Sequence, residues 1–222
     1  MTGQTAVLLG ATGLTGGHVL EFLLEDDAFE QVRVLVRQPL ERQHPKLDIR
    51  VVNFNDHLAY RRELGTGDCI FCCIGTTLAQ VKGNKQLYRT IDFDIPVNAA
   101  RFGLEAGFRQ YLLVSSHLAN ARSPFFYPRL KGETEEIICT FPFQSIHLFR
   151  PSFLVGKRKR TRYAESLGGK LMQLLNPLLP EVARPVQAAV VARAMVKAAR
   201  QGQPGLHHYT YSGLQELGGN SR

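Results

Sequence analysis

Gly10, Gly13 and Gly16 stand three residues apart, directly after the apolar run Ala6-Val7-Leu8-Leu9 and just before the periodic apolar stretch His18 to Leu24. Glycines at that spacing, between a buried-type strand and a helix, suit a phosphate-binding turn. Gly10 permits the tight turn off the strand. Gly13 has no Cβ, so a pyrophosphate can approach the backbone, and Gly16 lets the helix lie close against the strand. The helix start adds unpaired N–H groups and a partial positive charge. Ala11, Thr12, Leu14 and Thr15 complete the loop over residues 10–16. An ordinary glycine-rich turn would show the same three glycines. The strand before them and the helix after them favour a dinucleotide site.

A second position bears on which dinucleotide. Gln31 to Val36 reads as the next strand, and Arg37 and Gln38 follow it. In a dinucleotide fold this strand end lies near the adenosine ribose, about 20 residues past the glycines. An acid there would accept from the ribose 2′-hydroxyl and favour NAD. A guanidinium pairs instead with a 2′-phosphate, so Arg37 favours NADP over NAD. A solvated surface arginine is the plain alternative.

Other chemistry-bearing residues follow strand ends. Asn53-Phe54-Asn55-Asp56 leaves a third strand, Ile49 to Val52, where a dinucleotide's adenine would border Phe54 and its neighbours. An Asx turn would explain the same residues. The fourth strand, Cys69 to Ile74, ends at Gly75-Thr76-Thr77; a glycine there lets cofactor ribose and phosphate pass close to the backbone, as a plain tight turn also would. Ser115-Ser116-His117 leaves the fifth strand, Tyr111 to Val114. Tyr127 and Lys131 then lie four apart at the opening of a helix, Leu130 to Ile138, and so project from one face. Cys69 and Cys72 sit within an apolar strand, which favours buried structural thiols over a metal or redox pair. His207-His208 has no third ligand in sight, and no metal site is expected.

The elements that position these residues alternate. A short helix spans Leu58 to Leu64. A longer one spans Leu87 to Ala106, where Pro96 is expected to kink or break it. Ile146 to Phe149 is a sixth strand, and His208 to Tyr211 a final one. Leu167 to Leu179 and Val186 to Ala199 read as helices, and from Ser212 the chain reads as a frayed tail. The alternation predicts an α/β fold: a Rossmann-type, doubly wound parallel sheet with helices on both faces. It forms a single domain over 1–222, in which 152–211 supplies a small substrate-side region and the last helix, and 212–222 a tail. Ligands then bind outside the carboxyl ends of the strands, so Gly10, Arg37, Gly75 and Ser116 gather at one edge.

The glycine turn, the Ser115-Ser116 strand end and the Tyr127-x-x-x-Lys131 pair resemble the short-chain dehydrogenase/reductase superfamily. Within it the chain is similar to the small atypical members, especially the Tat-interacting-protein-like oxidoreductases and their bacterial relatives, with NmrA-type proteins more distant. Phe71-Cys72-Cys73-Ile74-Gly75-Thr76-Thr77, Leu113-Val114-Ser115-Ser116 and Phe149-Arg150-Pro151 carry that closer match. The resemblance implies that Tyr127 is the general acid or base. Lys131 would favour its phenolate and hold the nicotinamide ribose, and Ser116, or Ser115 one position off, would donate to the substrate oxygen. It also implies that the loop after Pro151 passes the nicotinamide carboxamide, with Leu154 against the cofactor. The basic run Lys157 to Arg162 would then bring Arg162 or a neighbour over the cofactor phosphate or an anionic substrate; a solvated loop is the plain alternative. The stretch after Val155 is short for a nucleotide-sugar domain.

The expected function is therefore NADP(H)-dependent hydride transfer to or from a small carbonyl or alcohol. The alternatives are a non-catalytic NADP(H) sensor acting through protein partners, and a nucleotide-sugar-type epimerase. The formal charge of +8 is concentrated largely in residues 157–162, without the interleaved aromatics of a nucleic-acid face. No nucleic-acid partner is expected. No apolar run reaches about 18 residues, so no membrane span is expected. The early first strand leaves no room for a signal peptide, which points to the cytoplasm. The expected state is monomer or homodimer.

Overall fold

The computed structural model describes residues 3–156 and 184–219. Seven strands form one parallel sheet in the order β3-β2-β1-β4-β5-β6-β9: β1 (Gln4–Leu9), β2 (Phe29–Val36), β3 (Leu47–Val51), β4 (Cys69–Cys72), β5 (Gln110–Val114), β6 (Ser145–Phe149) and β9 (Gly205–Tyr209). A parallel sheet covered on both faces needs strands apolar on both sides. Ala6 to Leu9 and Cys69 to Cys72 are accordingly fully buried. Strand order reverses between β1 and β4, and at that point their carboxyl ends open a crevice. Two further short strands, β7 (Phe153–Val155) and β8 (Pro185–Gln187), pair in parallel beside the sheet.

Helices cover both faces. On one lie α1 (Leu14–Glu25), α6 (Ala188–Gln201) and α7 (Tyr211–Gly218), packed over Leu8, Leu20, Leu23, Val191 and Met195. On the other lie α2 (His57–Leu64), α4 (Ile95–Glu105) and α5 (Phe126–Cys139), over Leu9, Tyr60, Ile70, Phe102 and Tyr111. Two fully buried phenols find acceptors in α4: Tyr60 donates to the Ile95 carbonyl at 3.1 Å and Tyr111 to the Pro96 carbonyl at 2.7 Å. Burial of such a ring is favourable only with its hydroxyl satisfied.

Two expectations change here. The frayed tail is instead helix α7: Leu214 is fully buried, Gly218 meets the backbone of α6, and Arg193 donates to the Gly218 carbonyl at 2.8 Å. A helix this short owes its stability to that packing rather than to its own sequence. Nor does Pro96 break its helix. The segment α3 (Lys85–Arg89) runs into α4 through a π-helical turn, Thr90–Asp94, with the Ile95 N–H reaching back five residues to the Thr90 carbonyl. Pro96 carries no N–H to offer the Asp92 carbonyl one turn earlier. The Thr134 hydroxyl of α5 lies 3.3 Å from that carbonyl, and 2.7 Å from its own helix's Leu130 carbonyl.

Strand β6 holds a buried histidine with a consequence for acid stability. His147 is 1% exposed, stacks on His207 at 4.8 Å, and its Nδ1 lies 3.0 Å from the Tyr209 hydroxyl. Burial, followed by the neighbouring His207, pushes its pKa down from 6.5 to about 4. The unfolded chain therefore binds this proton first, and stability present above pH 6.5 is lost as pH falls toward 4. The expected loss is roughly 2–3 kcal/mol over that window. Urea unfolding at pH 7 and pH 4 tests this: His147→Phe should lose that much less than the parent chain, and an equal loss in both would remove His147 as the cause.

Candidate active site

The glycine turn begins where β1 ends. Gly10 has φ +86, and a side-chain carbon on it would come within 2.5 Å of the Cys73 carbonyl oxygen. Gly16 packs so closely that a side-chain carbon there would overlap the Gly10 carbonyl. Gly13 caps α1 without any side-chain bond to the helix N–H groups, and both Thr12 and Gly13 are exposed. Ala11 is buried beneath them, and Leu14 begins the helix. The free amides of the first turn thus face the crevice at the sheet's carboxyl edge.

The neighbouring strand ends add polar groups. Arg37 follows β2 directly, is exposed, and has no hydrogen bond or ion pair among the described residues. Phe54 lies just past β3, 8% exposed and edge-on to Tyr60 at 4.8 Å. Ile74, Gly75 and Thr76 leave β4 as a loop. Ser115 and Ser116 leave β5, both buried. Ser116 Oγ accepts the Leu118 N–H at 3.2 Å and keeps its own proton to donate. Ser115 Oγ and Thr15 Oγ1 are buried without a hydrogen-bond partner among the described residues.

Helix α5 opens with Tyr127 in its first turn, 38% exposed, and Lys131 one turn later, buried. The helix begins earlier than its apolar pattern indicates, so both lie on it. The partner of Lys131 is a residue that sequence reading missed. Its Nζ forms an ion pair with Asp92 Oδ1 at 2.9 Å, and the Asp92 side chain is 1% exposed. Asp92 Oδ2 also accepts the Thr76 N–H at 2.8 Å, while Tyr88 donates to the Thr76 carbonyl at 3.0 Å. One helical segment thereby grips both sides of the loop after β4 and the lysine of α5. Burial alone would push the Lys131 ammonium down; the Asp92 carboxylate and the Tyr127 phenol outweigh it and hold it above the usual lysine range. The Tyr88 phenol is pushed up by burial, then by Asp92 and Tyr127. An acid within the apolar-periodic stretch Ile91 to Phe102 was the available signal for Asp92.

The far wall differs from expectation in form. Pro151 is buried, and its carbonyl accepts the His117 N–H at 2.9 Å, joining the ends of β5 and β6. The segment after it is strand β7 rather than a loop, with Leu154 at 38% exposure. A side-chain carbon on Gly156 would come within 2.9 Å of Leu14 Cδ1, so this wall ends against the first turn of α1. Arg162, the basic run and the expected helix Leu167 to Leu179 lie outside the described residues. Cys69 and Cys72 are buried in β4, where burial pushes both thiols up.

An uncapped helix start, an exposed unpaired arginine and two buried hydroxyls without partners fit an anionic, hydroxyl-bearing ligand such as a nicotinamide dinucleotide. Residues 10–137 match the profile of a protein family described as NAD(P)H-binding. The chain belongs to this family. Among relatives of this NAD(P)H-binding chain is "Protein fmp52, mitochondrial" of Aspergillus clavatus, 31% identical over 208 residues that cover 89% of this chain and 88% of the relative. The protein FMP52 of Candida albicans is 27% identical over 90% and 89% of the two chains. In fold the chain resembles a UDP-N-acetylglucosamine 4-epimerase from Methanobrevibacter ruminantium, with a TM-score of 0.70 at 16% identity over 95% of this chain and 77% of that one.

These findings correct two expectations. The chain is an NAD(P)H-binding protein with FMP52 relatives, and the relatives named above are of that type rather than Tat-interacting proteins. The relatives' names also carry "mitochondrial", which overturns the cytoplasmic expectation. The apolar leader considered above concerns secretion alone, whereas a mitochondrial address is amphipathic and basic. No helix among the described residues is long and apolar enough to cross a membrane.

Proposed function

We propose that this protein is an NADP(H)-dependent oxidoreductase acting on a small carbonyl compound or alcohol. The observation that carries the reading is the pairing on α5 of a half-exposed phenol, Tyr127, with a buried ammonium, Lys131, one turn behind it. When bound, the nicotinamide supplies or accepts a hydride. The glycine turn and the first N–H groups of α1 would hold the pyrophosphate, and Arg37 the 2′-phosphate. Lys131 donates to ribose hydroxyls. Tyr127 holds the proton that the substrate oxygen takes in reduction and returns in oxidation. Ser116, with Ser115 beside it, donates a hydrogen bond to that oxygen. Leu118, Phe125 and Phe153 are exposed on the segments that carry Ser116, Tyr127 and Pro151, which favours an apolar substrate.

Cofactor titration tests this reading. NADPH should bind the parent chain at least tenfold more tightly than NADH, and Arg37→Ala should lose about ten- to hundredfold for NADPH alone, as expected for one charge-assisted phosphate contact. Equal affinity for both cofactors in the parent would remove the role given to Arg37. Failure of either to bind would remove the reading altogether.

A further inference from the structure

The buried ion pair of Asp92 and Lys131 stands out because two charges so deep are expensive unless each is fully met. Asp92 is met twice, through Oδ1 by the Lys131 ion pair at 2.9 Å, with no further hydrogen bond to that oxygen among the described residues, and through Oδ2 by the Thr76 N–H at 2.8 Å. It sits in the π-helical turn, where the extra residue per turn changes which side chains face α5. Such turns occur often at functional sites. Lys131, by contrast, has few charged neighbours. Those that act on it are Asp92 from the π turn, Tyr127 from its own helix and Cys72 from β4, with Tyr88 behind Asp92. Cys72 is a buried thiol, and Tyr88 already donates to Thr76. Asp92 is the one carboxylate in that set.

We propose that Asp92 is a positioning residue that keeps Lys131 charged at the floor of the site and locks it in register with the loop after β4. This deepens the reading given above, because the lysine it holds is the one that would bind the ribose. In its absence an ammonium with an apolar surround sheds its proton, as desolvation favours the neutral amine. The lysine would then lose both its charge and its fixed direction toward Tyr127. Fixing the Thr76 peptide to the same carboxylate means that a displacement of the loop and a displacement of the lysine are one event.

The test is thermal unfolding across pH 7 to 10 for the parent chain, Asp92→Asn, and Asp92→Asn combined with Lys131→Met. Asparagine keeps an acceptor for the Thr76 N–H and removes only the charge. In Asp92→Asn the folded-state lysine then titrates below its unfolded value, so the unfolded chain binds more protons and stability rises with pH. The melting gap to the parent should therefore narrow, by about 5 °C, between pH 7 and 10. The double variant should show no pH-dependent gap and should melt above the single variant at pH 7. If Asp92→Asn does not fold but the double variant does, the unmet charge is the cause and the proposal stands. A gap independent of pH in both variants, or failure of both to fold, gives Asp92 a packing role and overturns it. NADPH titration of the parent chain is read separately, so a failed cofactor reading leaves this outcome intact.

Discussion

Replacing Arg150 with methionine is expected to destabilise the fold by about 2–3 kcal/mol, below the roughly 3–5 kcal/mol for a fully buried pair because the guanidinium is only half-buried. Arg150 is the last residue before Pro151 at the end of β6, and Glu135 lies one turn past Lys131 on α5. The guanidinium Nε donates to Glu135 Oε1 at 2.9 Å, and Nη2 pairs with the other carboxylate oxygen. Glu135 is 4% exposed, so methionine would leave a buried carboxylate without its arginine partner. That hydrogen bond, with the nearby carboxylate, holds the Arg150 guanidinium above its ordinary range against the opposing effect of burial. Denaturant unfolding should show the midpoint falling, while a double change that also makes Glu135 leucine should recover most of the loss. A single-variant cost below about 1 kcal/mol would mean that water reaches Glu135 and the pair adds little.

The second large effect is chemical. Tyr127→Phe should reduce turnover by about 10²- to 10⁴-fold, the range for removing a positioned proton donor. NADPH affinity should stay within about threefold, because in the proposed reaction the phenol would meet the substrate oxygen rather than the cofactor. Lys131→Met should weaken both cofactor binding and turnover. Full activity in Tyr127→Phe would move the proton donor elsewhere, to Tyr88 or a serine hydroxyl. A parent chain that binds NADPH but turns over no carbonyl or alcohol would favour a sensor. Release of oxidised cofactor at each turnover would separate a reductase from an epimerase.

Much of the sheet could be read from the sequence because buried parallel strands admit few polar residues. Ala6 to Leu9 and Cys69 to Cys72 each announce themselves as short apolar runs. The glycine turn was legible for a steric reason: the Gly16 position has no room for a single carbon. Asp92 was hidden because its role depends on the π turn, and helical spacing assumes one unbroken period. Helix α7 was hidden because one leucine and one glycine, Leu214 and Gly218, are its only buried residues, too few apolar positions in eight residues to mark a helix. The bond between Arg150 and Glu135 joins residues from a strand end and a helix, which no local pattern connects.

The π turn also changes how this helical segment must be counted. One added residue rotates everything beyond it by about 100° relative to everything before it. The segment therefore carries two phases: Tyr88, ahead of the shift, addresses the loop after β4, while Ile95, Ala99 and Phe102, beyond it, address the core. Deleting a residue between Thr90 and Asp94 would restore a uniform helix and put those two sets of contacts out of step. In an alignment that change would look like a one-residue gap in a variable helix. In the molecule it would separate the part of the chain that meets the loop after β4 from the part that holds the sheet.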